Sequence, residues 1–258
     1  RKKMRFIVSA DWHINLRKKK VPKDWQINRF NLFFEEIHIQ EADFHIIAGD
    51  IFDHAPNLEE VCLFNKFLNQ VKIPTYIIPG NHEATKKGKS FLENYTIHNA
   101  IDNDLVTVIT ENTNLVIQNQ MFQFFPYGEM QVDNKPEYIE DSILIGHIRG
   151  EVPPHISAEY NFEKLRTWKL GFFGDLHFPH KYQDYPIWYP GSPMNVNFDR
   201  NEDKDYGIYL VEFNSIDIYD IIFKQLPLPR LIRKTIGIED VLEKSEYNHT
   251  IFEVVGSI

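Results

Sequence analysis

The sequence predicts an α/β fold in which parallel strands alternate with helices, and three observations carry that prediction. In the first half, strand-length apolar runs at residues 5–10, 44–48 and 75–78 are separated by two segments with helical spacing of apolar residues. This β-α-β-α-β order implies parallel strands with helices packed against them. In the second half, short apolar runs predict a second sheet. A hydrophobic content of 43% over 258 residues is enough for a full core.

The first half of the sequence predicts strands and helices that alternate along the chain. The strand at 5–10 leads through a basic loop into a helix with one apolar face. The second strand leads into a helix from about Leu58, for which Asn57 is the expected N-cap. Pro79 and Gly80 stop the third strand and present the next side chains at its carboxyl end. The apolar face of the first helix consists of Phe30, Phe33, Phe34 and Ile37.

The second half is predicted to consist mainly of strands, so that each half of the chain contributes one sheet, with helices outside. A helix at 90–100 is expected before these strands, and a short helix at 239–244 and a strand at 250–255 after them. The other expected strands are 105–109, 114–118, 121–125, 142–145, 168–173 and 188–190, and a hairpin-like pair at 206–213 and 216–223.

We divide the chain into a domain at residues 1–225 and a smaller segment at residues 226–258. Pro227 and Pro229 exclude the residues before them from the α region, which predicts an extended linker at 226–230. The rest of that segment is too small to fold alone. It is either the beginning of a second domain or an appendage to the first.

Charge and cysteine content narrow the class of protein. A net charge of −9 argues against binding nucleic acid through the whole surface, although two loops are locally basic. The lone Cys62 lies in an apolar helical pattern, and a single cysteine suits a reducing cytoplasm. The apolar run near the start is too short for a signal peptide or a membrane span. We therefore expect a soluble cytoplasmic protein with no membrane association.

Side chains of the kind that bind metals follow five of the predicted strands immediately. Each one alone is more often a turn, cap or buried residue, but five strand ends with the same chemistry favour a common site. Carboxylate, imidazole and amide donors without thiolate suit manganese, iron or zinc. The donors exceed the needs of one ion, and paired ions are a device for in-line attack on phosphate. The candidates are Asp11, His13, Asp50, Asp53, Asn81, His82, His147, Asp175 and His177.

The motifs around these residues resemble those of the calcineurin-like metallophosphoesterase superfamily over residues 4 to 225. The matching motifs are Asp-x-His from Asp11, Gly-Asp-x-x-Asp from Gly49, Gly-Asn-His-Glu from Gly80, Gly-His from Gly146 and Gly-Asp-x-His from Gly174. Residues 49–53 and 189–193 are further similar to SbcD-type DNA repair nucleases. The resemblance implies a four-layer αββα sandwich, with the start of a small C-terminal capping domain at 226–258.

The resemblance also implies a role for each motif residue around two divalent ions. His82 would stabilise or protonate the departing oxygen, and Asp53 would orient His82 through a hydrogen bond. Asp175 departs from the family pattern, which usually has histidine there, and its carboxylate favours the harder ions manganese and magnesium. The implied ligands are Asp11, His13, Asp50 and His177 for one ion and Asn81, His147 and Asp175 for the other, with Asp50 bridging both.

The resulting hypothesis is a phosphodiesterase that acts on DNA. Both basic loops follow metal motifs, so they should border the rim that a phosphate backbone approaches. The resemblance implies a manganese-dependent double-strand exonuclease with single-strand endonuclease activity. It also implies a homodimer, paired with an SbcC-type ABC ATPase in DNA repair and recombination in a bacterium or in a host cell infected by a tailed phage. The DNA-binding candidates are Arg17, Lys18, Lys19, Lys20, Lys86, Lys87 and Lys89.

Two other functions stay open at the level of sequence. A phosphoesterase acting on a nucleotide or cyclic nucleotide could use the same metal core, although the SbcD-like features weigh against it. A DNA-binding scaffold that docks an ATPase could carry an inactive core, but the intact His82 argues against that. His54 and His180 are further candidates for supporting the site or contacting substrate.

Overall fold

The computed structural model describes residues 3–86, 89–94, 103–131, 137–152, 157–200, 204–242 and 245–256. Its helices are α1 (Lys23–His38), α2 (Leu58–Gln70), α3 (Phe91–Asn94) and α4 (Tyr127–Gln131), with short 3-10 helices at Asn81–Glu83 and Phe162–Leu165. Its strands are β1 (Met4–Ser9), β2 (Phe44–Ala48), β3 (Thr75–Ile78), β4 (Ala84–Lys86), β5 (Lys89–Ser90), β6 (Val106–Val108), β7 (Thr113–Ile117), β8 (Gln120–Phe125), β9 (Ile143–His147), β10 (Gly171–Gly174), β11 (His180–Lys181), β12 (Ile187–Tyr189), β13 (Gly207–Ser215), β14 (Ile218–Gln225), β15 (Leu231–Gly237) and β16 (His249–Val255).

The first sheet contains the predicted parallel strands in the order β14-β13-β1-β2-β3-β6. Strands β1, β2, β3 and β6 are parallel, which confirms the β-α-β-α-β prediction. The hairpin β13–β14 also belongs here, because β13 pairs antiparallel with β1 and places Val211 opposite Phe6. The prediction of one sheet in each half of the chain is therefore wrong for this hairpin. Its pairing with β1 connects residues about 200 positions apart, and local patterning does not encode such a contact.

The second sheet has the order β11-β12-β10-β9-β8-β7. Its four central strands are parallel, and the edge strands β7 and β11 run antiparallel to their neighbours. Strands β9 and β10 end together, with His147 opposite Gly174. As a result, the residues that follow these two strands lie at the same edge of the sheet.

Side-chain alternation along the strands builds the layers. Phe6 and Phe44 stack at 4.9 Å and face the second sheet, where Phe6 meets Phe122 at 5.7 Å. Ile7 and Ile47 point the other way, into the core formed with α1 and α2. The outer face of the second sheet packs against loop residues and the 3-10 helix at Phe162–Leu165. This layering confirms the metallophosphoesterase fold, although in the described residues the outer layer on the second sheet is loops and a 3-10 turn.

The predicted start of α2 and the predicted apolar face of α1 are confirmed. Asn57 accepts a hydrogen bond from the Glu60 amide at 2.9 Å, and Glu60 accepts one from the Asn57 amide at 2.9 Å. This capping box satisfies two of the amides that a helix start leaves without partners. In α1, the four apolar residues that were predicted to share a face are all buried.

Two other helix predictions require correction or fall partly outside the described residues. At 90–100, the structure has only the short helix Phe91–Asn94, and residues 95–100 lie outside the described ranges. The helix expected at 239–244 is absent from its described part, residues 239–242. Asp240 instead closes a turn, donating its amide to the Gly237 carbonyl at 3.3 Å and accepting the Gly237 amide on its carboxylate. Such local side-chain bonds compete with helix formation.

The segment after residue 225 contacts the main core. Leu226 and Leu228 pack among the side chains between the first sheet and its helices. Strands β15 and β16 then form a parallel pair with Leu231 opposite His249. Arg233 donates its amide to the Asp199 carbonyl at 2.8 Å, which joins β15 to the loop between β12 and β13. Of the helices within the described ranges, none has the length and apolar content needed to cross a bilayer.

Candidate metal centre

The loops that follow β1 and β2 run side by side. Asp11 donates its amide to the Gly49 carbonyl at 3.0 Å, and His13 donates its amide to the Asp50 carbonyl at 3.0 Å. These ladder-like bonds extend the pairing of β1 and β2 beyond the sheet edge. They bring Asp11, His13 and Asp50 together at the carboxyl ends of the strands, where open α/β sheets place their sites.

Two hydrogen bonds join the two sheets at this rim. His147, at the end of β9, donates from Nδ1 to the Ala48 carbonyl of β2 at 2.7 Å. Asp175, which follows β10, donates its amide to Asp11 Oδ1 at 2.9 Å. Because Nδ1 of His147 carries the donated proton, its Nε2 is the atom that faces Asp50 Oδ1, 3.4 Å away. The predicted site therefore spans both sheets.

Three overlapping groups of side chains could each hold a metal ion. Within each group, the ligand atoms all lie within 4.8 Å of one another. Asp11, His13 and Asp50 each belong to two of the groups. His13 Nε2 lies 3.0 Å from His177 Nε2 and 3.7 Å from Asp50 Oδ2. The spacing suits cations held between neighbouring groups with a common carboxylate. The groups are Asp11, His13 and His177; His13, Asp50 and His82; and Asp11, Asp50 and His147.

Asn81 lies among the residues predicted for the second ion. Its terminal amide is 3.0 Å from His147 Nε2. With the NH2 group turned inward, Asn81 donates to Asp50 Oδ2 at 2.8 Å and to Asp175 Oδ1 at 3.1 Å. Asp175 Oδ1 lies 3.8 Å from His147 Nε2. The structure thus brings Asn81, His147 and Asp175 together around Asp50.

The ligand candidates have an unusual backbone. Asp11, His13, Asp50 and Asp175 have φ angles of 55°, 49°, 53° and 98°. L-residues rarely adopt this left-handed region, which costs of the order of 1 kcal/mol or more for each residue. Such conformations persist where the surroundings over-determine them, and they concentrate at functional sites. Their occurrence at four candidate ligands therefore supports a functional role for this rim.

Glu83 fixes the loops from beneath. Its buried carboxylate accepts hydrogen bonds from the amides of Asp50 at 3.0 Å, Phe52 at 3.0 Å and Gly80 at 2.8 Å. The loop after β2 and the loop after β3 are therefore anchored on one side chain. Gly80 has no room for a Cβ atom, which would meet Asp50 Oδ1 at 2.2 Å. Glycine at this position lets the β3 loop approach the shared carboxylate.

His82 lies at the edge of the cluster with one ring nitrogen fixed. Its Nδ1 donates to the backbone carbonyl of Asp53 at 2.6 Å, so Nε2 is left to face Asp50 Oδ2 at 4.0 Å. The predicted orientation of His82 by Asp53 therefore occurs through the main chain, whereas the Asp53 carboxylate is 4.0 Å from Nδ1. That carboxylate lies 3.3 Å from His13 Nδ1 and accepts a hydrogen bond from Asn15 at 2.7 Å. Sequence reasoning missed Asn15, whose one signal is its place two residues after His13.

The electrostatics of the cluster fit bound cations. Burial raises the pKa of Asp11 well above its ordinary value and also raises that of Asp175. Burial would raise the pKa of Asp50 as well, but His147 and its other neighbours lower it to about 2. Within the described part of the chain, Asp11 Oδ2 and Asp175 Oδ2 are buried and have no hydrogen-bond partner. Buried carboxylate oxygens without donors fit a divalent metal centre, because a cation would satisfy them.

His177 is exposed to solvent as a whole residue, but its ring packs against the other candidate ligands, with its centroid 4.7 Å from that of His13. Desolvation first, and then His13, lower the pKa of His177 to about 4. The imidazole is therefore neutral at pH 7, which is the form that coordinates metal ions. The Nε2 atoms of His13 and His177 lie 3.0 Å apart, so both can face the same cation.

The basic candidates have different surroundings. The Arg17 guanidinium donates hydrogen bonds to the buried Glu60 carboxylate at 3.0 Å and to the Ala55 carbonyl at 3.0 Å. Lys18 is half-buried, donates to Asn197 at 3.2 Å, and burial lowers its pKa. The side chains of four others are exposed, and Lys87 lies outside the described residues. The exposed ones are Lys19, Lys20, Lys86 and Lys89.

A family model of calcineurin-like phosphoesterases matches residues 4–209 of this sequence. The chain therefore belongs to the calcineurin-like phosphoesterase family, and it is a metal-dependent phosphoesterase. A curated relative is "Probable exonuclease subunit 1" of Escherichia phage T5. It is 34% identical over 266 residues, an alignment that covers 99% of this chain and 79% of that protein.

Two solved structures show similarity at lower levels. TT1561 of Thermus thermophilus has a TM-score of 0.47 and 11% identity, covering 73% of this chain and 89% of that one. GAP50 of Plasmodium, described as the anchor in the inner membrane complex, has a TM-score of 0.47 and 15% identity, covering 89% and 91%. We draw nothing about function from either.

Proposed function

We propose that this chain is a DNA nuclease that hydrolyses phosphodiester bonds with two divalent ions, manganese first and magnesium as the other candidate. The observation that carries the proposal is the convergence of side chains from four other strand ends around Asp50. Among the described residues, Asp11 and Asp175 each have a buried carboxylate oxygen with no hydrogen-bond partner. The name of the phage T5 relative, an exonuclease subunit, supports a nucleic acid as the substrate. The proposed ligands are Asp11, His13, Asp50 and His177 for one ion and Asn81, His147 and Asp175 for the other, with Asp50 shared.

The proposed chemistry assigns one proton transfer to His82. When bound, the ions supply positive charge beside the phosphate and lower the pKa of the attacking water. Once that water has lost a proton to the solvent, the bond from its oxygen to phosphorus forms as the bond to the leaving oxygen breaks, and Nε2 of His82 gives the leaving oxygen a proton. The Asp53 carbonyl holds Nδ1–H, so Nε2 is the nitrogen available for this transfer. Asp50, at 4.0 Å, stabilises the imidazolium before the transfer.

The basic loops are proposed to contact the phosphate backbone. Lys18 belongs to the same loop as His13, and the negative charge of Asp53 acts on it. Lys86 and Lys89 lie opposite each other in the β4–β5 pair, which follows His82 directly. Phosphate contacts of this kind give affinity without reading sequence. We therefore expect little base preference. The similarity of the motifs to SbcD-type nucleases is what implies double-strand exonuclease and single-strand endonuclease activity.

We also propose that the chain works as a subunit, as the name of the T5 relative suggests. The partner would be an SbcC-type ABC ATPase acting in DNA repair and recombination, in the cytoplasm of a bacterium or of a phage-infected host. A homodimer is expected, so light scattering should give about twice the mass of 30.6 kDa. A monomer at all protein concentrations tested would contradict the dimer but not the nuclease.

The nuclease proposal is tested with end-labelled linear duplex DNA and manganese, beside p-nitrophenyl phosphate esters. His82→Asn should reduce duplex cleavage by about 10²–10⁴-fold, the contribution of a positioned general acid. The matched control is His38→Asn, because His38 ends α1 at the opposite edge of the sheet. Duplex cleavage lost only in His82→Asn supports the proposal. Hydrolysis of the small esters with no cleavage of any DNA would refute it.

A further inference from the structure

Phe178 is an exposed aromatic residue directly beside a candidate metal ligand. It follows His177, and 49% of its surface is accessible to solvent. One side of its ring is occupied, because Phe178 stacks on His180 at 4.5 Å with an interplanar angle of 23°. His180 in turn stacks on the buried Tyr189 at 5.1 Å and 7°. The three rings form a stack that runs from the core to the surface, and the outermost ring, Phe178, keeps one face exposed to solvent.

The backbone beneath this stack is held firmly. His180 pairs with Tyr189 in the β11–β12 ladder. Ser192 donates its amide to the His177 carbonyl at 3.3 Å. Gly191 has a φ of +76°, and a Cβ atom there would meet the Phe178 carbonyl carbon at 2.8 Å. Close approach of this glycine therefore fixes the position of Phe178 relative to His177.

Phe178 and His177 line a groove of about 520 Å³. The other lining residues include Asn197, Asp199, Lys204, Asp205 and Tyr206. Lys204 pairs with Asp199 at 3.0 Å, and Tyr206 also donates a hydrogen bond to Asp199. Because Lys204 offsets Asp199, Asp205 leaves these lining side chains with an excess of negative charge, which disfavours a phosphate, whereas a neutral group with hydrogen-bonding edges suits the groove. Its volume is in the range of pockets that hold ligands of nucleotide size.

We infer that Phe178 is the stacking platform for a nucleobase of the DNA strand being cleaved, with the base in the groove and its phosphate beside His177. This inference rests on the proposed nuclease function and specifies which form of DNA the site accepts. A base can lie on Phe178 only when it has left its duplex stack, so the reacting nucleotide must be single-stranded or frayed. Stacking on an aromatic face tolerates every base, in keeping with degradation that ignores sequence.

The inference is tested by combining a protein change with a substrate change. Single-stranded oligonucleotides carry either normal nucleotides or an abasic analogue at each of the two terminal positions in turn. We expect wild type to cleave the oligonucleotide with the normal base about 5- to 100-fold faster in kcat/KM at one of these positions, the range that base–aromatic stacking contributes. Phe178→Leu should remove this preference, whereas Phe178→Tyr should retain it.

A second measurement locates the base directly. Oligonucleotides with 5-iodouracil at the same positions are irradiated with the protein, and the crosslinked peptide is identified by mass spectrometry. A crosslink within residues 177–181 that disappears in Phe178→Leu supports the platform. DNA cleavage by wild type with an unchanged base-to-abasic ratio in Phe178→Leu would overturn the platform and leave the nuclease intact. Absence of DNA cleavage by wild type would overturn both.

Discussion

Replacing Glu83 with glutamine tests how the loops of the metal centre are held. Glu83 is buried and accepts three backbone amides, from Asp50, Phe52 and Gly80. In Glu83→Gln the amide oxygen can keep the bonds to Asp50 and Gly80, but the new NH2 group then faces the amide of Phe52. One buried donor loses its acceptor, which costs about 1–3 kcal/mol, and two charge-assisted bonds become neutral. We expect a total loss of about 2–5 kcal/mol in the free energy of unfolding.

The same change should weaken metal binding. Glu83 holds the backbone of Asp50, and outer groups that orient a ligand typically contribute roughly 10- to 100-fold in metal affinity. Burial, and then the charge of Asp50, raise the pKa of Glu83 to about 7, so both measurements belong at about pH 8, where the carboxylate is ionised. Urea unfolding gives the stability, and calorimetric titration with manganese gives the affinity.

Glu60→Gln is the matched control for this prediction. Glu60 is another buried carboxylate that accepts two backbone amides, from Leu16 and Asn57, each at 2.9 Å. It should lose stability to a similar extent while keeping most of its metal affinity, because none of its amide donors belongs to a candidate ligand. Equal manganese affinity in Glu83→Gln and wild type would refute the argument that Glu83 positions the centre.

Three further predictions follow from the described contacts. Burial lowers the pKa of His45 to about 3, so only the unfolded chain takes up a proton near pH 6.5. The free energy of unfolding should therefore fall as the pH is lowered through that range. Urea unfolding of wild type should lose about 1.4 kcal/mol between about pH 7.5 and 5.5 that His45→Gln does not lose; parallel curves would contradict this. Gly174→Ala places a Cβ atom 2.4 Å from His147 Nδ1, so its thermal stabilisation by manganese should be much smaller than in wild type. Lys18→Ala should weaken DNA binding and reduce the slope of its salt dependence by about 1, as measured by fluorescence anisotropy; an unchanged slope would exclude a phosphate contact.

Features with local causes could be predicted from the sequence. The strands at 44–48 and 75–78 have the predicted bounds, because apolar runs of strand length end there at glycine or proline. Asn57 caps α2 as expected, since a capping box involves residues only three positions apart. The convergence of the candidate ligands within each sheet could also be predicted from the sequence. Carboxyl ends of parallel strands meet at one edge, so residues that follow such strands converge.

Features that depend on distant contacts or on side-chain geometry could not be predicted. The hairpin β13–β14 joins the first sheet through pairing with β1, which no local pattern specifies. The choice between the carbonyl and the carboxylate of Asp53 as the partner of His82 depends on the path of the loop after β2. In the described part of the expected helix at 239–244, Asp240 closes a turn instead, because its side chain accepts the Gly237 amide.

The left-handed backbone of four candidate ligands implies a trade-off between the stability of the protein and its catalytic activity. Glycine adopts φ angles such as the 98° of Asp175 without penalty. Asp175→Gly should therefore relax the loop and remove a desolvated carboxylate at the same time, giving a more stable but inactive protein. Random mutagenesis screened only for heat resistance should accordingly enrich such changes at this rim, and the positions they select would outline the centre without any assay of activity.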